Sequence, residues 1–184
     1  MKIIQISNKD YPNNKKSVFS YESDYYYDIK LRSFSRNNGW KIVIQKKQFK
    51  TTFKKRNDDF VFKDYLINAT YYIALDDFGK EMGWISISPQ KWNNTARLWD
   101  IEVDEEYRRN GVGKQLLKFA VSKAKEWNCR AIVLECQSSN FPAISFYLKN
   151  GFSLSGCDFI AYSNQDIEKH EVRLEMSRKL IYNT

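Results

Sequence analysis

The sequence predicts a mixed α/β protein with a central β-sheet of about six to seven strands and flanking helices. Strand patterns fill the first half of the chain, and two helical patterns lie on either side of the apolar run Ala131-Ile132-Val133-Leu134. Two further strand patterns follow the second helix. A strand–helix–strand order within one sheet requires at least one parallel crossover connection.

The elements of the first half are strands. Those predicted from alternating or apolar patterns are Tyr25–Phe34, Trp40–Ile44, Tyr71–Leu75, Trp84–Ile87 and Leu98–Val103. The turn signal Asn37-Asn38-Gly39 joins the first two strands into a hairpin, and Asp76-Asp77-Phe78-Gly79 joins the next two. The strand that ends at Val103 is followed by the acidic, turn-like Asp104-Glu105-Glu106.

The second half alternates helices and strands. Apolar residues recur with helical spacing from Val112 to Trp127, which predicts an amphipathic helix. The following run 131–134 is apolar enough to be a strand covered on both faces. Phe141–Lys149 is predicted as a short helix because Pro142 lies near its first turn and Gly151 closely follows its end. The final strands are Phe152–Ile160 and Val172–Leu180.

Length and composition exclude several classes of protein. The 184 residues suit a single domain, 1–184, and the 42% hydrophobic fraction excludes a disordered chain. No apolar run approaches the roughly 20 residues that cross a bilayer, and the start contains no signal-peptide stretch, so we expect no membrane partner. The three separated cysteines form no C-x-x-C pair, which indicates a reduced, cytoplasmic protein and argues against a metal site. A single histidine, His170, excludes a multi-histidine metal site.

The net charge of +8 belongs to the first third of the chain. Residues 1–64 contain 15 of the 30 basic residues but only 7 of the 22 acidic residues. The run Lys46–Arg56 carries six positive charges, no acid and interleaved aromatic rings, a pattern also found in nucleic-acid-binding proteins. The chain contains no RNA-binding signature, zinc-finger spacing or basic coiled coil, which argues against a nucleic-acid partner. The stretch Tyr21–Asp28 is opposite in sign and could recognise a cationic amine or form a hairpin edge.

The most informative segment is the turn Arg108-Arg109-Asn110-Gly111-Val112-Gly113-Lys114, between a predicted strand and a predicted helix. Glycines there let backbone N–H groups converge on an anion, and the helix dipole adds about half a positive charge. A P-loop would need glycine at Arg108, and a dinucleotide-binding fingerprint would need glycine at Leu116. The remaining pattern, R-x-x-G-x-G, is either another kind of pyrophosphate cradle or simply a tight turn.

A second motif follows the apolar strand. It reads N-x-x-A-x-x-F-Y-x-x-x-G-F, with the fixed residues Asn140, Ala143, Phe146, Tyr147, Gly151 and Phe152. Together the two motifs resemble those of the GNAT superfamily of N-acetyltransferases, over roughly residues 70–180. Within the superfamily the chain is most similar to streptothricin-acetyltransferase-like members, through the strand around Asp100 and the stretch Asp158–Tyr162.

The resemblance implies a fold, a co-substrate and the residues that bind it. In the GNAT fold the fourth and fifth strands, here Leu98–Val103 and Ala131–Gln137, splay apart. Residues 1–69 are then a variable acceptor-side part, and 70–180 an acetyl-CoA-binding core. Pantetheine lies along the first of these strands, a backbone N–H near Val103 polarises the thioester carbonyl, and the glycine turn binds pyrophosphate. The implied acetyl-CoA-binding residues are Ile101, Val103, Arg108, Arg109, Asn110, Gly111, Val112, Gly113, Lys114 and Asn140, with no metal.

The resemblance also points to catalytic residues. Tyr147 falls where the family places the general acid that protonates the CoA thiolate, and a phenol, with a pKa of about 10, is protonated at neutral pH. The alternative is a packing role beside Phe146. Asp100 and Glu102 lie i, i+2 on one strand, about 7 Å apart, so either carboxylate, or a water relay, could take the acceptor's proton. A salt bridge, for example to Arg97, is the alternative for the carboxylates.

The sequence therefore predicts an acetyl-CoA-dependent N-acetyltransferase acting on a primary amine by direct attack in a ternary complex. The acceptor would be a small molecule such as an aminoglycoside or streptothricin-like antibiotic, although the basic first third weighs against a polycation unless Glu22, Asp24 and Asp28 reverse the local sign. One alternative is acetylation of protein N-termini or lysines. Another is a non-catalytic acyl-CoA-binding or nucleic-acid-associated module. Because dimers are common among relatives, a homodimer is one of the open oligomeric states.

Overall fold

The structure is a computed structural model that describes residues 1–11, 13–34, 39–66 and 68–180. Its strands are β1 (Lys2–Ile6), β2 (Lys16–Phe34), β3 (Gly39–Phe60), β4 (Thr70–Leu75), β5 (Glu81–Gln90), β6 (Thr95–Val103), β7 (Ala131–Gln137), β8 (Ser153–Asp158) and β9 (Arg173–Lys179). Its α-helices are α1 (Val112–Glu126) and α2 (Phe141–Lys149), and short 3-10 helices lie at Asn8–Asp10 and Glu105–Tyr107. Seven strands form one sheet in the order β1-β4-β5-β6-β7-β9-β8, and β2 pairs with β3 in a second. The mixed α/β fold predicted from the sequence is confirmed.

The elements agree with the sequence patterns to within a few residues, with two exceptions. Strand β1 was not predicted, because it is a short run that leads straight into polar residues. Strands β2 and β3, at 19 and 22 residues, extend well beyond the predicted hairpin strands. Asn37 and Asn38 of the expected turn lie outside the described residues. None of the helices in the described ranges is long and apolar enough to span a bilayer.

The chain divides into two compact units. The first comprises Met1–Phe19, Asp58–Leu134 and Ser177–Thr184. Its strands β1, β4, β5 and β6 are joined by antiparallel pairs, and α1 packs against β5 and β6. One of its buried clusters contains Ile6, Val61, Phe62, Tyr71, Ile73 and Trp84. Burial of this apolar surface supplies the main driving force for folding of the unit.

The second unit comprises Ser20–Asn57 and Glu135–Met176. Most of the β2–β3 ribbon belongs to it, and several acids and bases of this ribbon are paired within the chain. Lys47 contacts Asp28 at 2.6 Å, and Lys54 contacts Glu22 at 2.6 Å. The hydroxyl of Thr52 donates to Asp24 at 2.7 Å. The acidic stretch therefore neutralises part of the basic run.

A β-bulge in β6 determines which side chains face the candidate site. Ser86 pairs with Asp100, but the next residue of β5, Ile87, pairs with Leu98, so Trp99 is an extra residue without a partner in the register. Simple alternation would place Leu98 on the same face as Asp100; the bulge separates them. Parallel pairing of β6 with β7 is recorded at Thr95–Arg97, and both strands continue beyond it.

Candidate active site

The two carboxylates predicted on β6 share one face of the sheet in the first unit. Trp84 and Ser86 of β5 pair directly with Glu102 and Asp100, and the side chains of each pair are hydrogen-bonded to each other. The expectation that both carboxylates lie on one face is thus met. Asp100 and Glu102 have different hydrogen-bond and ion-pair partners, and these partners suit them to different chemical roles.

Asp100 is held in an ion pair. The ammonium of Lys63 lies 2.7 Å from its Oδ1, and the Ser86 hydroxyl donates to Oδ2 at 2.5 Å. Only 21% of the Asp100 side chain and 13% of the Lys63 side chain are exposed. Burial alone would lower the pKa of Lys63, but attraction and hydrogen bonding to Asp100 outweigh it and raise that pKa above its usual value.

The expected salt-bridge alternative therefore applies to Asp100, but with a different partner. Arg97 was one example of a cation that lies nearby in sequence. In the structure the Arg97 guanidinium lies 5.3 Å from the ring centroid of Trp99, which is the extra residue of the bulge. Lys63, between β3 and β4, forms the ion pair instead, and no local sequence pattern could have indicated a partner 37 residues away.

Glu102 is a half-buried carboxylate with two neutral donors. Its Oε2 accepts hydrogen bonds from the Ser17 hydroxyl and from Trp84 Nε1, the latter at 2.9 Å. Burial raises the pKa of Glu102 above its usual value, and the nearby Asp104 carboxylate adds to the rise, while the two donors oppose it. A carboxylate with a raised pKa and no lysine bound to it is a stronger base than an ordinary glutamate, which suits it to accept a proton.

The glycine turn lies between β6 and α1 in the same unit. The Arg108 side chain donates from Nε to the Val103 carbonyl at 3.0 Å, which ties the turn to the end of β6. Arg109 and Gly111 both adopt left-handed backbone conformations, with φ of 66° and 85°. The first helical hydrogen bond runs from the Gln115 N–H to the Gly111 carbonyl. The start of α1 has no side-chain cap and no acid in its first turn.

This turn fits the phosphates of acetyl-CoA. Uncapped N–H groups at a helix N-terminus, together with the helix dipole, favour an anion. A Cβ added at Gly111 would meet nothing within 4 Å, so the space beside the backbone is open. Lys114 and the two arginines add positive charge around it. Of the predicted cofactor residues, Ile101, Val103 and Arg108 to Lys114 all belong to this unit.

Close packing against Gly83 fixes the backbone at the end of β6. Gly83 pairs with Val103, and a Cβ added at Gly83 would lie 2.3 Å from the Glu102 carbonyl oxygen and 3.0 Å from the Val103 Cα. Only glycine allows β5 to approach β6 this closely. The approach occurs at the backbone expected to polarise the thioester.

The other two predicted site residues, Asn140 and Tyr147, belong to the second unit. The side-chain oxygen of Asn140 accepts the Ala143 N–H at 3.1 Å, so this residue caps α2. Tyr147 is 7% exposed, with ring centroids 5.4 Å from Phe146 and 5.9 Å from Phe152. A packing role for Tyr147 is therefore real, and the general-acid role remains a prediction.

Several polar partners were missed by the sequence reasoning. The two carboxylates are contacted by Ser17, Lys63, Trp84 and Ser86. In the second unit, Tyr21 donates to Gln137 at 3.2 Å, and its hydroxyl lies 2.8 Å from the Ser139 hydroxyl. Trp84 and Ser86 had a detectable signal, because they are spaced i, i+2 on a predicted strand in the same way as the carboxylates. Ser17, Tyr21 and Lys63 are brought in by long-range contacts and had none.

Comparison with known proteins agrees with this geometry. The model of the acetyltransferase (GNAT) family matches residues 27–152. Streptothricin acetyltransferase A of Bacillus subtilis is 30% identical over 171 residues, covering 89% of this chain and 90% of the relative. A Bacillus anthracis structure in complex with acetyl coenzyme A has a TM-score of 0.74 and 29% identity, covering 98% of this chain and all of its own. The crystal structure of nourseothricin acetyltransferase, at 24% identity, has the same fold with a TM-score of 0.74.

Proposed function

The chain belongs to the acetyltransferase (GNAT) family, and from this premise we propose that it acetylates a primary amine of a small cationic molecule. It is an acetyl-CoA-dependent N-acetyltransferase, and it resembles the streptothricin acetyltransferases among its relatives. The acceptor we propose is therefore an antibiotic of the streptothricin or aminoglycoside type. Direct attack of the amine in a ternary complex forms the amide bond and breaks the C–S bond of the thioester.

Glu102 carries the proposal. We assign it as the base, because burial raises its pKa and its two hydrogen-bond partners are neutral. It takes the proton that the attacking amine loses, directly or through a water molecule. Asp100 shares the face but already neutralises Lys63, so we assign it to hold that face together and to set its charge rather than to accept the proton.

Backbone groups and Tyr147 complete the mechanism. A backbone N–H near Val103 donates to the thioester oxygen as negative charge develops there, an effect that typically accounts for several kcal/mol. Tyr147 gives a proton to the departing CoA sulfur, which a phenol can do at neutral pH. Pyrophosphate binds the N–H groups of the Arg109–Lys114 turn, which Arg108 ties to β6. Ile101 and Asn140 contact the pantetheine arm.

Local charge supports a cationic acceptor. The basic residues that weighed against a polycation are partly neutralised, since Lys47, Lys54 and Lys55 pair with Asp28, Glu22 and Glu171. Beyond the neutralised Asp100, Glu102 and Asp104 lie two residues apart at the end of β6, and a protonated amine is attracted to such a segment before it reacts. A net positive chain is thus compatible with a positive substrate.

The experiment is thiol release from acetyl-CoA with a panel of acceptors. The panel contains streptothricin, an aminoglycoside, a polyamine, a lysine peptide and a peptide with a free N-terminus, and mass spectrometry identifies each product. We expect turnover with the small polycations and little with the peptides. Preferential turnover of peptides would replace the proposal by protein acetylation. Tight CoA binding without turnover of any acceptor would remove the enzymatic proposal for small amines.

A further inference from the structure

A lysine ammonium is held between two aromatic rings in the second unit. The Nζ of Lys46 lies 3.9 Å from the ring centroid of Tyr25 and 4.4 Å from that of Phe141. The two rings are 5.4 Å apart, with an angle of 55° between their planes. They form an open wedge, which we call the aromatic wedge, and the ammonium occupies it. This is the arrangement by which proteins bind alkylammonium ligands.

The Lys46 ammonium is held in the wedge without a carboxylate partner among the described residues. Within the described part of the chain, Lys46 forms no ion pair and no side-chain hydrogen bond, whereas its neighbour Lys47 contacts Asp28 at 2.6 Å. The Lys46 residue is exposed, so its ammonium could have been left in water. Cation–π attraction to the two ring faces is therefore the interaction that selects this position.

The wedge is fixed at the turn that carries a predicted acetyl-CoA contact. Phe141 is the first residue of α2 and directly follows Asn140. The N–H of Tyr27 donates to the Ser138 carbonyl at 2.9 Å, and the Tyr27 ring lies 5.9 Å from the Phe141 ring. Strand β2 is thus bound to the same turn, which keeps the backbones of Tyr25 and Phe141 close to each other.

We propose that Tyr25 and Phe141 form a subsite for an alkylammonium group of the acceptor, and that Lys46 occupies the subsite in the absence of that acceptor. This inference rests on the proposed function and deepens it, because a polycationic acceptor has one amine to react and others to bind. Lys46 has a flexible stem and an exposed head, so it can move into water when a ligand ammonium replaces it. The ring faces select positive charge and need no proton donor.

The test uses tetramethylammonium, a cation that has no N–H and cannot be acetylated. Its binding to the full chain is measured by NMR titration for the wild type and for Lys46→Ala, Lys50→Ala and the double variant Lys46→Ala/Tyr25→Leu. The neutral analogue is 2,2-dimethylpropanol, in which carbon replaces the nitrogen and a hydroxyl keeps the compound soluble. We expect Lys46→Ala to bind the cation about 5- to 30-fold more tightly than the wild type, because the competing ammonium is gone. Lys50→Ala, on the same strand, should equal the wild type.

The double variant and the neutral alcohol test whether cation–π attraction causes the gain in tetramethylammonium affinity. Tyr25→Leu should abolish the gain, and 2,2-dimethylpropanol should bind equally to the wild type and to Lys46→Ala. Equal tetramethylammonium affinity in the wild type and Lys46→Ala would overturn the proposal, as would an equal gain for the neutral alcohol. These readouts need no turnover, so they stand even if the thiol-release assay finds no acceptor.

A kinetic comparison links the subsite to the acceptor. Across α,ω-diamines of about three to ten carbons, the largest ratio of kcat/KM for a diamine to that for the matching monoamine measures the contribution of a second ammonium. We expect Tyr25→Leu to lower this ratio about 5- to 30-fold, while Phe19→Leu, an exposed aromatic control on β2, leaves it unchanged. A ratio that is the same in Tyr25→Leu and the wild type would assign the wedge to folding alone.

Discussion

Lys63 and Asp100 form an ion pair that is largely shielded from solvent, with Nζ 2.7 Å from Oδ1 and side-chain exposures of 13% and 21%. Lys63 also contacts Asp59 at 3.2 Å. The ion pair ties the segment between β3 and β4 to the middle of β6. A charge in this position is stable only while its partner is present, because a shielded ion without a counter-ion is costly.

We therefore expect Lys63→Met to lower the free energy of unfolding by about 1–3 kcal/mol, measured by urea denaturation at pH 7. The raised pKa of Lys63 means that the contribution is complete below the ordinary lysine pKa and disappears as the pH rises through the raised value. The difference should thus shrink only at strongly alkaline pH. Lys80→Met is the control, since Lys80–Glu106 is equally short but 58% exposed on both sides. Equal losses in the two variants would contradict the shielding argument.

Glu102→Gln should separate activity from stability. We expect kcat/KM to fall about 10²- to 10⁴-fold and the acid limb of its pH profile to disappear. In the wild type that limb should lie above the ordinary glutamate pKa of about 4.3, because burial raises the pKa of Glu102. A raised pKa means that stability is lost as the pH rises through it, so Gln should not lower the melting temperature at pH 7. An unchanged acid limb would show that another group is the base.

Tyr147→Phe removes the hydroxyl and keeps the ring. Because the ring packs against Phe146 and Phe152 and is retained, the variant should stay folded. The main effect of the substitution should therefore be on kcat. We expect kcat to fall about 10²-fold or more and KM for acetyl-CoA to change little, as is typical for loss of a general acid. Phe146→Leu provides the packing control and should affect stability more than kcat. The assignment fails if Tyr147→Phe retains wild-type kcat.

Gly83→Ala tests the close approach of β5 to β6. The added Cβ would meet backbone atoms, the Glu102 carbonyl oxygen at 2.3 Å and the Val103 Cα at 3.0 Å, and neither can move freely. We expect a loss of about 1–3 kcal/mol in unfolding free energy and a lower kcat, because the Val103 backbone is displaced. In Gly156→Ala the added Cβ meets only side-chain atoms, at 3.7 Å or more, so this control should be close to neutral. A stable, fully active Gly83→Ala would exclude the close-contact explanation.

Sequence patterns were sufficient for the fold and for the position of the carboxylates, but not for their environments. Helix periodicity gave α1 and α2 because apolar spacing, Pro142 and Gly151 are local features. The bulge at Trp99 was invisible, since the order of residues along β6 does not show which of them lacks a partner on β5. Lys63 and Ser17 distinguish Asp100 from Glu102, and both reach β6 only after the chain has folded. The chemical difference between the carboxylates is therefore a tertiary property.

The extra residue in β6, Trp99, shifts the alternation of side chains between the two faces of the sheet, so the strand has two phases of alternation. Up to Leu98, even-numbered side chains lie in the apolar layer; from Asp100 onward, even-numbered side chains face the polar side. Regular alternation with Trp99 retained would carry both carboxylates into the apolar layer and turn Ile101 and Val103 outward. In that case the residues of β6 would be the same, yet neither carboxylate would face the candidate site. Deleting Trp99 would instead remove the bulge and leave the carboxylates on their present face. In this strand, the face on which the carboxylates lie depends on the register with β5 as much as on the residue types.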